Sequence, residues 1–175
     1  MRRSELESFV LGLVWQLGPC SPYAVRRMLA DSPSAQWSGS AGAIYPLMRR
    51  LESAGLIASK SARNGKRKRR EYAITTKGQA SLRTWIGPPF APEVVTVTAD
   101  PLRSRARFLA ALKPAERRAW VDAALASLAE VESRVRRWHD RYGRDAAPAL
   151  GMLTRHGELE IEFRRAWLEE LRRST

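Results

Sequence analysis

Gly42-Ala43-Ile44-Tyr45-Pro46-Leu47-Met48-Arg49-Arg50-Leu51-Glu52-Ser53-Ala54-Gly55-Leu56-Ile57 reads as an amphipathic helix, its stop and the start of a strand. Ile44, Leu47, Met48 and Leu51 recur at helical spacing and form an inward stripe. Gly55 ends the run, as glycine does where the chain leaves a helix with positive φ. Gly42, Tyr45 and Arg49 share an outward face, with Pro46, Arg50 and Ser53 beside it. Such a face can enter a major groove: glycine permits close backbone approach, arginine reaches guanine or phosphate, and tyrosine carries a hydroxyl on a stiff arm. An ordinary surface helix would show the same stripe, so the neighbouring elements decide. Pro46 removes a backbone hydrogen bond and presses on the Gly42 carbonyl, which predicts a local bend.

Toward the N-terminus, Leu6, Phe9, Val10, Leu13, Val14 and Leu17 give a first helix over about 5–17, stopped by Gly18-Pro19. A second helix opens at Ser21-Pro22, a cap residue followed by proline at the first helical position. It turns Val25, Met28 and Leu29 inward and ends near Asp31-Ser32-Pro33. A polar loop over 34–39 leads to the third helix, capped by Ser40 or Ser38. These two serines join its outward groups as candidate DNA contacts.

Beyond Gly55 the period changes. Leu56–Ser61 and Arg69–Thr75 read as short strands, with Tyr72 and Ile74 alternating against polar residues. The segment 62–68 between them reads as a loop, with Asn64-Gly65 as hairpin turn because both residues tolerate positive φ. From Arg63 to Arg70, six of eight residues are basic. Arg63, Asn64, Lys66, Arg67, Lys68 and Arg70 are candidate contacts to flanking phosphates or a minor groove, where neutralised charge releases counterions. A solvated, self-repelling loop is the plain alternative. Thr76 and Gln79 suggest a capping box for a fourth helix through Leu82, Trp85 and Ile86. Three helices, a basic hairpin and a closing helix, in that order, make a winged helix-turn-helix over residues 1–90.

Gly87-Pro88-Pro89-Phe90-Ala91-Pro92 marks a boundary, and 91–100 reads as a linker whose 93–98 stretch is a strand or merely extended. Asp100-Pro101 opens a helix to about Leu112, and Pro114 opens a long one to Tyr142, about 43 Å at the standard rise. Trp120, Ala124, Leu128, Val131, Val135, Trp138 and Tyr142 approximate a heptad seam. A last helix over about 149–173 presents Met152, Leu159, Phe163, Trp167 and Leu171. Stripes this apolar need a cover, and a second copy is the simplest one. Trp120, Leu128, Val131, Val135, Trp138, Tyr142, Leu159, Phe163, Trp167 and Leu171 are therefore candidate dimer contacts, and 101–175 a helical dimerisation region.

The charge is unevenly spread. Residues 1–90 hold 15 Lys/Arg against 5 Asp/Glu, and residues 91–175 hold 16 against 13, within a total of +13. A general arginine bias explains the total but not the asymmetry, which suits one half facing phosphates and the other facing protein. The lone Cys20 permits no internal disulfide or multi-cysteine metal site and reads as a small core residue. No stretch has the length of a membrane span or the pattern of a signal peptide, so a cytoplasmic protein is expected. Enzyme chemistry has little to stand on. His139 and His156 are the only histidines, and neither lies in a nucleophile motif. His156 and Glu160, one helical turn apart, imitate a metal site but fit a charged helix face better. Trp120, Trp138 and Trp167 suit core and interface packing better than an effector pocket. No cofactor or metal is expected.

The stretch 42–57 looks like the recognition helix of the PadR family of regulators. Gly65, Arg69, Tyr72, Ile74-Thr75-Thr76-Lys77-Gly78 and Leu82 resemble that family's wing and exit helix, and the match covers about 5–90. Arg107-Phe108-Leu109 and Phe163-x-x-x-Trp167-Leu168 are more loosely similar to its C-terminal region. Pro22 stands before Tyr23 where the family often has glycine. The resemblance implies a homodimeric repressor on a pseudo-palindromic operator in double-stranded DNA, released by a small aromatic or drug-like effector. The alternatives are another winged-helix class such as the MarR family, which usually flanks its reader with dimer helices at both ends, and a nonspecific nucleic-acid-binding or chromatin protein. A membrane-surface protein fits less well, because the basic residues cluster on a hairpin rather than along a helix face.

Overall fold

The computed structural model describes residues 3–64, 67–96, 100–142 and 148–174, and the chain divides into two compact units, 1–95 and 96–175. In the first unit, α1 (Glu5–Leu17) starts in a full capping box: Ser4 Oγ accepts from Glu7 N, and Glu7 Oε2 accepts from Ser4 N, each at 3.2 Å. Gly18, at φ 67°, turns the chain out of the helix. α2 (Pro22–Ala30) is capped by Ser21, whose Oγ accepts from Ala24 N at 3.3 Å, with Pro22 where its missing N–H costs nothing. The expected loop 34–39 contains a short helix, α3 (Ala35–Ser38). Trp37 stacks on Phe9 of α1, ring centroids 4.1 Å apart and nearly parallel, which anchors this turn.

A 3-10 turn at Ala41–Ala43 precedes α4 (Ile44–Ser53), and this changes two expectations. Neither Ser38 nor Ser40 caps the helix, because Ala43 is the capping position and offers no side-chain acceptor; Ser40 Oγ instead donates to the Gln36 carbonyl at 2.9 Å. Pro46 falls in the first turn of α4, where backbone N–H groups have no partner within the helix, so the expected mid-helix bend is replaced by a tighter turn before it. Ile44, Leu47, Met48 and Leu51 are buried, and with Val10, Val14, Val25, Leu29 and Ile57 they form the core.

The strands are longer than the sequence suggested. β1 (Ile57–Asn64) and β2 (Arg67–Ile74) pair antiparallel from Ile57↔Ile74 to Asn64↔Arg67, so the ladder runs through most of the basic segment expected to be loop. Backbone pairing continues wherever donors and acceptors line up, and basic composition alone does not interrupt it. Asn64 ends β1, while Gly65 and Lys66 lie outside the described residues. Cys20 adds a rung to the sheet, exchanging backbone hydrogen bonds with Tyr72 at 3.0 and 2.8 Å. α5 (Thr76–Ile86) is capped by Thr75, whose Oγ1 accepts from Gly78 N at 3.0 Å, one residue before the expected Thr76–Gln79 box. Thr76 is already helical, whereas Thr75 has the extended backbone a cap requires. Leu82 is buried, while Trp85 and Ile86 remain exposed. A short helix α6 (Pro92–Val95) takes the place of the strand considered there, and 97–99 lie outside the described residues.

In the second unit the helix expected over 100–112 is two pieces, α7 (Pro101–Ala106) and a 3-10 turn at Leu109–Ala111. Asp100 caps α7 through Leu102 N at 2.9 Å and Arg103 N at 3.3 Å, and it pairs with Arg164 at 3.1 Å. α8 (Pro114–Tyr142) and α9 (Pro148–Ser174) form an antiparallel pair around buried Val121, Leu128, Ile161 and Leu168. Among the described residues no helix is long and apolar enough to cross a membrane.

Gly78 and Gly42 separate two uses of glycine. A Cβ on Gly78 would run into the Leu56 carbonyl, whereas one on Gly42 would meet nothing within 4 Å. Gly78→Ala is expected to destabilise the fold by about 1–3 kcal/mol, the usual cost of overpacking a fixed contact. Gly42→Ala should leave the urea midpoint almost unchanged, and paired unfolding curves check both.

Candidate nucleic-acid interface

One joint fixes the outward face of α4 relative to the hairpin. Ala54 ends the helix and Gly55 follows at φ 71°. Lys77 Nζ donates to the Ala54 carbonyl at 2.8 Å, a cation at the negative end of the helix. Thr75 Oγ1 donates toward the Gly55 and Leu56 carbonyls at 2.7 and 3.1 Å, and Thr75 N donates to Leu56 O at 3.0 Å. Gly78 leaves the space this approach requires. The Thr75-Thr76-Lys77-Gly78 stretch is therefore a clasp on the end of α4. The contact itself was not legible in the sequence, because it spans about twenty positions.

On the outward face Tyr45 is 47% exposed, and Arg49 is exposed with no ion pair among the described residues. Gly42 lies just before α4, with clear space where its Cβ would stand. Ser38 and Ser40 sit half-buried in the preceding turn. Two other candidate arginines are engaged within the chain. Arg50 Nε donates to Glu7 Oε1 at 3.0 Å, and Arg70 Nη2 lies 3.4 Å from Glu52 Oε1. Neither acidic partner was visible in the sequence, because Glu7 is 43 residues from Arg50 and packing alone brings them together.

For Arg63, Asn64, Arg67 and Lys68 the structure describes the backbone register, and Lys66 lies outside the described residues. The register sets Arg63 opposite Lys68 and Asn64 opposite Arg67.

The candidate dimer residues divide. Leu128 is in the α8–α9 core, and Trp120, Val135, Trp167 and Leu171 pack partly buried against it within one chain. Trp138 meets Tyr142 at 5.5 Å, and Val131 is half-buried. Leu159 and Phe163 are exposed, Phe163 by 71%, together with Met152 and Leu153. His156 and Glu160 form an exposed pair at 3.9 Å. Among the described residues no cluster of His, Cys, Asp and Glu is placed to hold a metal ion. Burial, with Glu71 nearby, pushes the Cys20 thiol up to about 11, which keeps it protonated near neutral pH.

Helix α4, the turn before it and the antiparallel hairpin after it define a winged helix-turn-helix protein. Residues 10–84 match the family described as the Transcriptional regulator PadR-like family, so this unit is PadR-like. Comparison with the curated proteins finds no match. Among solved structures, PadR of Bacillus subtilis in complex with operator DNA is similar at 21% identity and TM-score 0.78, covering 98% of this chain and 99% of its own. The same protein in complex with p-coumaric acid gives 19% and 0.74, with coverage of 97% and 96%. The Vibrio cholerae virulence activator AphA gives 16% and 0.65, with 97% of each chain covered. At these identities the likeness is one of fold.

Glu7 yields a pH prediction. Burial pushes its carboxyl up, but the hydrogen bond from Arg50, the Ser4 backbone N–H and the Arg50 charge together outweigh this and hold it below its ordinary 4.5. A depressed folded value means that its stabilisation is present above the unfolded value and is lost as pH falls through the folded one. Glu7→Gln should therefore be less stable than the native chain at pH 6. The gap should close as the pH drops below about 4.5, as read from urea midpoints across that range.

Proposed function

We infer that this chain is a sequence-specific, double-stranded-DNA-binding transcriptional regulator, acting as a homodimeric repressor on a pseudo-palindromic operator. One observation carries the reading: α4 buries a full apolar stripe while its other side offers Tyr45 and Arg49, with exposed Gly42 in the turn before it and a basic hairpin after it. Tyr45 and Arg49 would read base edges, and Arg63, Lys66, Arg67 and Lys68 would grip the backbone. The Bacillus subtilis protein solved on operator DNA has the same fold. Release by a small aromatic effector extends the reading, supported by that protein's complex with p-coumaric acid.

The dimer contact is proposed at the face of α9 that its own chain leaves open, with Leu159 and Phe163 as anchors. A two-fold contact there would present two reading helices, and one bound half-site would raise the effective concentration of reader at the other. Light scattering on Phe163→Asp checks it: the native chain should run as a dimer and the variant as a monomer at micromolar concentration. A native monomer would remove the half-site argument.

Selection of bound duplexes from a random pool tests the whole reading, the expected result being a two-fold symmetric motif. Absence of any motif would favour the nonspecific class. Replacing Lys66, Arg67 and Lys68 by Ala should weaken all sequences alike and reduce the slope of log affinity against log salt by up to about 3. Arg49→Ala should instead narrow the gap between operator and random DNA, as competition binding with both DNAs would show. The reverse pattern would exchange the two roles.

A further inference from the structure

Glu52 is a carboxylate on the helix that would lie among phosphates, close to the helix's own negative end. Both neighbours repel it. The side chain is turned to the base of the hairpin: its Oε1 accepts from Ser59 Oγ at 2.5 Å and lies 3.4 Å from Arg70 Nη2. Arg70 Nε donates to the same Ser59 Oγ at 3.0 Å, and the guanidinium lies over the Tyr72 ring, 5.9 Å from its centroid. Arg70 thus uses two N–H donors, Nε and Nη2 of one edge of its guanidinium, on two acceptors, which fixes the plane of the group as a lysine ammonium cannot. The network joins α4, β1 and β2 through side chains.

We propose that Glu52 is a positioning residue, which sets the tilt of the hairpin on the reading helix through Ser59 and Arg70, and that Arg70 anchors the wing rather than binding phosphate. The functional consequence rests on the DNA-binding reading above; the joint itself does not. From Ser59 to Asn64 the strand extends about 17 Å at the usual rise. A tilt of roughly 10° at the base would therefore move the tip by about 3 Å, the full length of a hydrogen bond. A hairpin released at Glu52 would keep its charge but lose its register with the helix that reads bases.

The test uses the full chain and four variants: Glu52→Ala, Arg70→Ala, Arg70→Lys and the double Glu52→Ala/Arg70→Ala. Binding to the selected operator and to random duplex is measured across a salt series. The orientation of hairpin amides relative to α4 is measured in the free protein by residual dipolar couplings. Every single variant should lower the operator-to-random ratio, by about tenfold on the scale of coupled neighbours, with an unchanged salt slope. The double variant should lose no more than either single one, and the hairpin should reorient in all four. Arg70→Lys is the deciding variant. Native-like binding by Arg70→Lys, with the slope reduced by about 1 in Arg70→Ala, would make Arg70 a phosphate ligand and overturn the proposal. Tighter binding of every sequence by Glu52→Ala would overturn it too, leaving Glu52 as repulsion alone. A native chain that binds no duplex would sink the DNA-binding reading. In that case the free-protein couplings still judge the joint, and an unmoved hairpin in Glu52→Ala would overturn it.

Discussion

The Leu56 carbonyl is where the first unit is tied together. It accepts from the backbone N–H of Thr75 and from the Thr75 hydroxyl, and it lies against Gly78, which has no side chain to hold it away. The end of α4, the base of the hairpin and the start of α5 meet at this one peptide. Buried backbone groups must find partners, and here a single threonine meets that need for two elements while capping a third. The Cys20–Tyr72 bridge ties the turn between α1 and α2 to the same hairpin, so the scaffold behind α4 is closed from both sides.

Charge on this unit is distributed by a second rule. Arg50 and Arg70 each have a carboxylate partner on a different element, whereas Arg49, next to Arg50 in sequence, has no ion pair among the described residues. Exposed ion pairs of this kind contribute only about 0–1 kcal/mol each to stability. Their effect lies in orientation: each fixes where one arginine side chain points, while Arg49 has no such partner among the described residues. A count of basic residues treats all three alike, although their surroundings differ.

The second unit resolves its apolar excess mostly by itself. Val121 and Leu128 of α8 meet Ile161 and Leu168 of α9, and the larger Trp120 and Trp167 cover that core from the sides. The part-buried pair of Arg165 with Glu132, at 2.6 Å, closes one flank. Among the described residues, Phe108 remains exposed, as do Met152, Leu153, Leu159 and Phe163 on α9.

The sequence by itself determined the elements whose causes are local. Ser21-Pro22 opens α2, Gly18 and Gly55 end helices, the stripe Ile44–Leu51 is buried, and Pro114 opens a helix of the expected 29 residues. Each follows from residues within a turn or two of one another, where spacing and backbone preference decide. The outward placement of Tyr45 and Arg49 was legible for the same reason. Tertiary structure decided what depends on distant partners. A 3-10 turn moved Pro46 into the first turn of α4, and Thr75 rather than Thr76 became the cap because its hydroxyl also reaches Gly55 and Leu56. Glu7 and Glu52 became the partners of Arg50 and Arg70, and α9 covered much of the seam on α8. A hydrogen bond or ion pair acts only over a few ångströms, and which residues come that close is settled by packing across the whole unit, which spacing along the chain does not encode.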